Sequence, residues 1–445
     1  MAPPNAIKKQ RNNSIDFWRI FATICIAMCH FNSGGFFYSV DWITENNLFT
    51  LTADGCPPIM YGALILEIFL FIGGYFMIAS FKGQQRKGIT ANMSPAKQAW
   101  KYTAGRFKVF GPVIFFGYLF ALVAECIYQG YNLRQWFYAL SINALDLLGL
   151  GQLGFLAKTN AAGAAVGAAS GMNQVMFSDS MNFMLPWASN YPLWYLAALI
   201  VMYPMVYYLL AADEDKFKGF WAPLFVLLWG ATFAFTDFGN FTWLNNRADI
   251  VSIGIPINVM WVTGGTCAGA LLYYFVDFLK KKEPTQFGVR FLTGLNIVCS
   301  VWMIYAVVTN VYQWMGPQGD NGLYVFNGNI YIVPTLGVLL CNFLNLDHLT
   351  HLMNQPIFGK LGNYMLYWFA MYHPLSKIIP LVFTGLHHNY VAMVAVYLAT
   401  TSVAGWLLQL VCEKFAMPLL SLALDEPKPK PTEAAKPAEA AKPAT

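Results

Sequence analysis

A chain of 445 residues is long enough for about two or three water-soluble domains, but 57% of this one is hydrophobic, only 11% is charged and its mean hydropathy is +0.46. A soluble core cannot absorb that much apolar surface, and aromatic usage of 17%, with 14 Trp and 24 Tyr, suits helix ends seated among lipid headgroups. The net charge of +5 belongs to Lys and Arg flanking apolar runs, not to a basic surface interleaved with aromatics, so a nucleic-acid partner is excluded.

A helix crosses the hydrocarbon core, about 30 Å thick, with roughly 17 to 25 apolar residues. In chain order such runs lie at 15–33, 58–81, 106–127, 192–210, 219–236, 252–279, 290–311, 329–346, 362–383 and 391–420. They predict an all-α integral membrane protein, a bundle of about ten transmembrane helices. The first run follows MAPPNAIKKQRNN, but it holds Arg19 and lacks a small-residue cleavage site, so it reads as a retained helix. Lys8, Lys9 and Arg11 precede it. Lys82, Arg86, Lys87, Lys97, Lys101, Arg106 and Lys108 lie between the second and third runs with no acid among them. The loop after the first run has Asp41, Glu45 and Asp54 but no Lys or Arg, which places it outside. Lys280 to Lys282, with Lys428 and Lys430 in the tail, mark later cytoplasmic segments.

The stretch 134–156 is apolar, but it carries Asn143 and Asp146 and is broken by glycines. As a span it would turn Lys280 to Lys282 outward, so it is read as an extra interfacial or re-entrant segment on the outer side. Both termini then face the cytoplasm, in a multi-pass protein of the cell membrane. The chain divides into a cytoplasmic segment 1–14, a transmembrane domain 15–420 and a Pro/Ala/Lys tail 421–445 too polar and Pro-broken to fold. Residues 157–190, rich in Gly and Ala, read as a loop on the outer side. Seven of the eight Cys lie in apolar runs, leaving Cys56 in a polar loop, and neither a disulfide framework nor a metal motif follows.

The first helix, SIDFWRIFATICIAMCHF, places Arg19 and His30 eleven positions apart. That is close to three turns, so the two side chains share a face about 16 Å apart along the axis. A membrane Arg demands a partner or a wet cavity, whereas a lone membrane His is equally at home as a satisfied interhelical group. The second helix adds Glu67 in LILEIFLFIGGYF, a carboxylate that needs a partner such as Arg19 or His30. The run LGNYMLYWFAMYHPLSKIIP forms a second polar spot, with His373 mid-span, Lys377 one turn later and Pro374 loosening the backbone. Glu413, near the cytoplasmic end of the last span, reads as an anchor for basic loops.

These features resemble the acyltransferase family 3 membrane proteins, which O-acylate envelope glycans and other acceptors. The similarity rests on Arg19, ten intervening residues and His30, preceded by IDFWR, and continues through EIFLFIGGYF, RFKVFGP before Pro112, LWYLAALIVMYPMV, LGNYMLYWFAMYHP and CEKFAMP. It departs where Gly73 replaces a frequent Ser and where Val109, beside Lys108, stands at a frequent second Arg. The resemblance implies transfer of an acyl group, commonly acetyl, from cytoplasmic acyl-CoA to a hydroxyl of a glycan or related acceptor, with acyl-CoA as co-substrate and no bound cofactor. A neutral imidazole, of unperturbed pKa about 6.5, can take a proton from a hydroxyl attacking a thioester, which makes His30 the base, and sequence does not separate this direct transfer from one through a covalent acyl-His intermediate. Arg19, with Arg106 and Lys108, is expected to bind the donor, Glu67 to orient His30 or pair Arg19, and His373, Lys377 and Trp194 to line an additional pocket.

The rival reading is a transporter of a glycan or lipid-linked intermediate, since buried Arg, Glu and His also build substrate pathways, but the two halves show no internal duplication. The topology is testable with single cysteines introduced at Asn160 and Lys281. Membrane-impermeant reagent is expected to label the first from outside and the second only from the cytoplasmic side; the reverse pattern at either position overturns the assignment.

Overall fold

The computed structural model describes residues 12–33, 59, 65–128, 130–142, 147, 191–235, 257–309, 327–386 and 389–424, and every element among them is helical. The helices are α1 (Ser14–Ser33), α2 (Glu67–Arg86), α3 (Pro95–Tyr128), α4 (Leu133–Ile142), α5 (Trp194–Ala212), α6 (Ala222–Phe235), α7 (Ile257–Lys280), α8 (Gln286–Val308), α9 (Asn327–Leu344), α10 (His348–Met353), α11 (Pro356–Val382), α12 (Tyr390–Val411) and α13 (Met417–Leu424). A helical turn at Glu214–Lys216 and a π-helical segment at Phe217–Trp221 join α5 to α6, and a second π segment at Cys412–Ala416 joins α12 to α13.

Local chemistry sets the helix starts. The Ser94 hydroxyl accepts from the Lys97 amide ahead of Pro95 at the head of α3, Thr285 from Gly288 at α8, Asp347 from Thr350 at α10 and Asn389 from Ala392 at α12. Each satisfies one of the amides a helix leaves unpaired at its N-terminus. Asn345, at φ 56, ends α9 in the left-handed conformation that Asn tolerates better than most residues.

Two groups of helices, with α8 and α9 packed as a further pair beside them, make up the described bundle. In one, α7 packs on α2, α5 and α6; in the other, α11 packs on α1, α3 and α12, and contact between α3 and α5 joins them. The α2–α7 contact depends on glycine. A Cβ on Gly74 would lie 1.8 Å from the Thr266 carbonyl oxygen, and one on Gly269 would lie 2.1 Å from that of Phe71. Gly265 and Gly269, four apart, form the small-residue stripe that lets membrane helices approach closely. Polar ties close the ends of the bundle. Lys82 on α2 pairs with Glu214 at 2.6 Å, and Tyr274 on α7 donates to the same carboxylate at 3.1 Å. Asn296 on α8 donates to Asp347 and Thr350 at 2.9 and 3.1 Å.

Large apolar side chains also cover the outside: Leu227, Val298, Val301, Trp302, Val403 and Trp406 are all exposed. Such an exterior suits lipid rather than water. Among the described residues six helices are long and apolar enough to cross a membrane, within α1, α3, α5, α7, α8 and α12 to α13, and a shorter apolar helix occupies Ile332–Leu344. The chain is therefore a helical membrane protein. Of the other expected spans, 58–81 is described as a helix only from Glu67 and runs on to Arg86, and α6 has 14 described residues. At 362–383, α11 is long enough but carries Lys360, Asn363, His373 and Lys377. Within 134–156 the helix α4 ends at Ile142, and only residue 147 is described beyond it; the loop 157–190 and the tail from residue 425 lie outside the described residues.

The glycine contact yields a direct test. Gly74→Val should lower the thermal midpoint of the detergent-solubilised protein, by about 3 kcal/mol of stability, or prevent its accumulation. Gly83→Ala on the same helix, where a Cβ meets open space, should leave the midpoint unchanged or slightly raised.

Candidate functional site

The start of α1 is fixed by polar contacts to distant parts of the chain. Asn12 Nδ2 donates to the Asn342 carbonyl at 2.6 Å, and the Asn13 amide donates to Asn354 Oδ1 at 2.7 Å. From there α1 runs along α11, with Phe17 edge-on to Phe358 near one end and Phe31 stacked on Tyr397 of α12 near the other. Arg19 and His30 lie between these two anchors.

Arg19 Nη1 donates to Asp16 Oδ1 at 3.0 Å, one turn back along α1, and its charge reaches the hydroxyl of Tyr195 on α5. The Asp16 side chain is 5% exposed and that of Arg19 29%, so the acid is enclosed while the guanidinium borders open space. Glu67, the first residue of α2, is 3% exposed, and its Oε2 has no hydrogen-bond partner among the described residues. The carboxylate that neutralises Arg19 is thus Asp16. Among the described residues Glu67 is paired with neither Arg19 nor His30.

His30 is buried. Its ring stacks on Tyr372 at 5.7 Å and meets His373 edge-on at 5.7 Å. Lys377 lies within electrostatic reach of His373. The second polar spot expected from the sequence is therefore continuous with the first: two imidazoles 343 positions apart in sequence form one cluster between α1 and α11. Tyr372 is held in turn by Tyr397, whose hydroxyl donates to the Tyr372 carbonyl at 3.1 Å.

A seam of aromatic rings leads from Tyr195, which lies within electrostatic range of Arg19, to His30. Tyr195 meets Phe369 at 5.3 Å, Phe369 meets Tyr372 at 5.1 Å, and Tyr372 stacks on His30. Phe69 of α2 closes one side against both Tyr195 and Phe369, at 6.1 and 6.4 Å. Trp194 is half-buried at the head of α5 and touches the seam through Tyr195 at 6.5 Å.

Arg106 forms a second basic locus. Its guanidinium sits 5.0 Å over the Tyr102 ring, which stacks on Tyr207 at 4.3 Å and meets Tyr203 edge-on at 5.2 Å. Among the described residues Arg106 has no carboxylate partner; three phenols surround it instead. Tyr203 lies on α5 about two turns after Tyr195, so one helix carries tyrosines of both loci. Lys108 lies about 200° further around α3, is half-buried, and is not part of the tyrosine cluster.

Such an arrangement offers N–H donors to an anion or a carbonyl oxygen at one end and imidazole nitrogens for proton transfer at the other. Asp16 and the α5 tyrosines were not singled out from sequence. The available signals were an acid three residues before the membrane Arg and the Tyr203/Tyr207 spacing of four.

The description "Acyltransferase domain" of the acyltransferase 3 family matches residues 12–410. The chain belongs to that family. Comparison with curated proteins and with solved structures finds no match. In this membrane acyltransferase Arg19, Arg106 and the His30–His373 pair all lie within the matched region.

A half-buried cation with no carboxylate partner among the described residues still loses hydration, and cation–π contact returns only part of that cost. Arg106→Met in this acyltransferase should leave the thermal midpoint unchanged or raise it, by up to about 5 °C. A large fall in midpoint by scanning fluorimetry would instead make Arg106 a stabilising element.

Proposed function

We propose that this acyltransferase moves an acyl group, acetyl being the expected one, from cytoplasmic acyl-CoA to a hydroxyl of an envelope glycan or related acceptor. The observation that carries the reading is the buried aromatic seam leading from Tyr195, within electrostatic range of Arg19, to His30. An extended pantetheine arm spans a distance comparable to the roughly 16 Å between these residues along α1. A donor whose phosphates rest near Arg106 and Arg19 would thus present its thioester at His30. Arg106, with no carboxylate partner among the described residues, suits a phosphate; Arg19, paired with Asp16, suits an oriented hydrogen bond to the donor.

In this reading His30 takes the proton as the acceptor oxygen bonds to the thioester carbon. The tetrahedral intermediate collapses, the carbon–sulfur bond breaks, and the imidazolium returns the proton to the departing thiolate. Products are the ester and free CoA, with the enzyme unchanged. His373 and Lys377 border the same space and would face the acceptor. The proposal includes about ten spans with both termini cytoplasmic, an orientation supported by the loop charges and one that puts Arg19 on the donor's side.

His30→Ala is expected to lower ester formation at least about 100-fold, while yield and thermal midpoint stay near wild type. The readout is mass spectrometry of envelope glycans and small metabolites from cells carrying either form. Undiminished ester in the variant overturns the general-base role.

A further inference from the structure

We propose that Asp16, seated against Gly362 of α11, is the positioning residue that holds Arg19 in place for the acyl donor; the inference rests on the donor-binding reading of Arg19. The side chain of Asp16 is 5% exposed, in the first turn of a helix packed along α11. Its space exists because residue 362 has no side chain. A Cβ built there would lie 2.5 Å from Asp16 Oδ1 and 2.6 Å from its Cβ, closer than real Cβ contacts come.

Helical side chains lean toward the helix N-terminus, so Arg19 at i+3 reaches back naturally to the carboxylate one turn below. Among the described residues, one of the five guanidinium N–H groups is used, by Asp16 at 3.0 Å. The others make no hydrogen bond among the described residues and border the partly open space beside Tyr195. A planar fork held at one corner by an enclosed acid keeps one direction, whereas a free Arg chain samples many rotamers. Thr23 Oγ1 donates to the Arg19 carbonyl at 2.8 Å, tying the backbone of the same turn.

Coenzyme A binding to the purified full-length protein, measured calorimetrically in detergent, separates the parts of this inference. Arg19→Ala should weaken binding about tenfold. Asp16→Asn should do nearly the same, and the double variant should bind no more weakly than Arg19→Ala alone, because one residue acts through the other. Gly362→Ala leaves the carboxylate ionised but fills its seat, and should weaken binding in the same direction even where Asp16→Asn folds poorly. Full-affinity binding by Asp16→Asn and Gly362→Ala, with Arg19→Ala weakened, overturns the positioning role and spares the donor reading; so does an Asp16→Asn loss that adds to the Arg19→Ala loss in the double variant. Unchanged affinity in Arg19→Ala overturns the donor reading of Arg19 and this inference with it.

Discussion

Carrying a guanidinium into an apolar bundle costs several kcal/mol unless an anion, a π-face or water meets it, and the packing of α1 on α11 is organised around that cost at Arg19. The charge is met by an acid one turn away, and the acid is accommodated because the facing helix presents a glycine. That local solution fixes how closely α1 approaches α11. It thereby fixes where the rest of the α1 face falls, including the meeting of His30 with Tyr372 and His373 about three turns further on.

The two half-buried arginines solve the same problem differently, and the difference bears on what each can do. Arg19 is neutralised within its own helix and acts as a directed hydrogen-bond donor. Arg106 is surrounded by phenols and keeps its full charge, which favours an incoming anion. The α5 tyrosines lie between them. Tyr195 is within electrostatic range of Arg19, Tyr203 and Tyr207 are within range of Arg106, and Tyr195 also packs on Phe369 of the aromatic seam.

Helical rotation alone placed Arg19 and His30 on one face, since eleven residues nearly complete three turns and no tertiary contact alters that. The apolar runs gave the helical class for the same reason: backbone groups in lipid must be satisfied within the segment. Glu67 was harder to place. A membrane carboxylate near an Arg in the same domain invites pairing, but whether two helices bring the charges together depends on rotation and depth, which the sequence of either helix leaves open. Asp16, in the same helix as Arg19, was the better-placed partner, and its i, i+3 spacing was visible in SIDFWR. The span count was equally ambiguous, because helices such as α11 hide polar side chains inside the bundle and so lose the hydropathy that marks a span.

The sequence by itself determined that this protein is a helical membrane protein, that it carries an Arg and a His on one face of its first helix, and that its ordered motifs match the acyltransferase 3 family, because periodicity, apolar run length and motif spacing are properties of the chain alone. Only the tertiary structure decided that His373 joins His30, that Asp16 rather than Glu67 pairs with Arg19, and that Arg106 sits over Tyr102 with no carboxylate partner among the described residues. Those facts depend on which helices touch and at what rotation. Interhelical distance in turn is set by small local features, such as a missing Cβ at residue 362 or 74, whose effect is felt only when another helix lies against them.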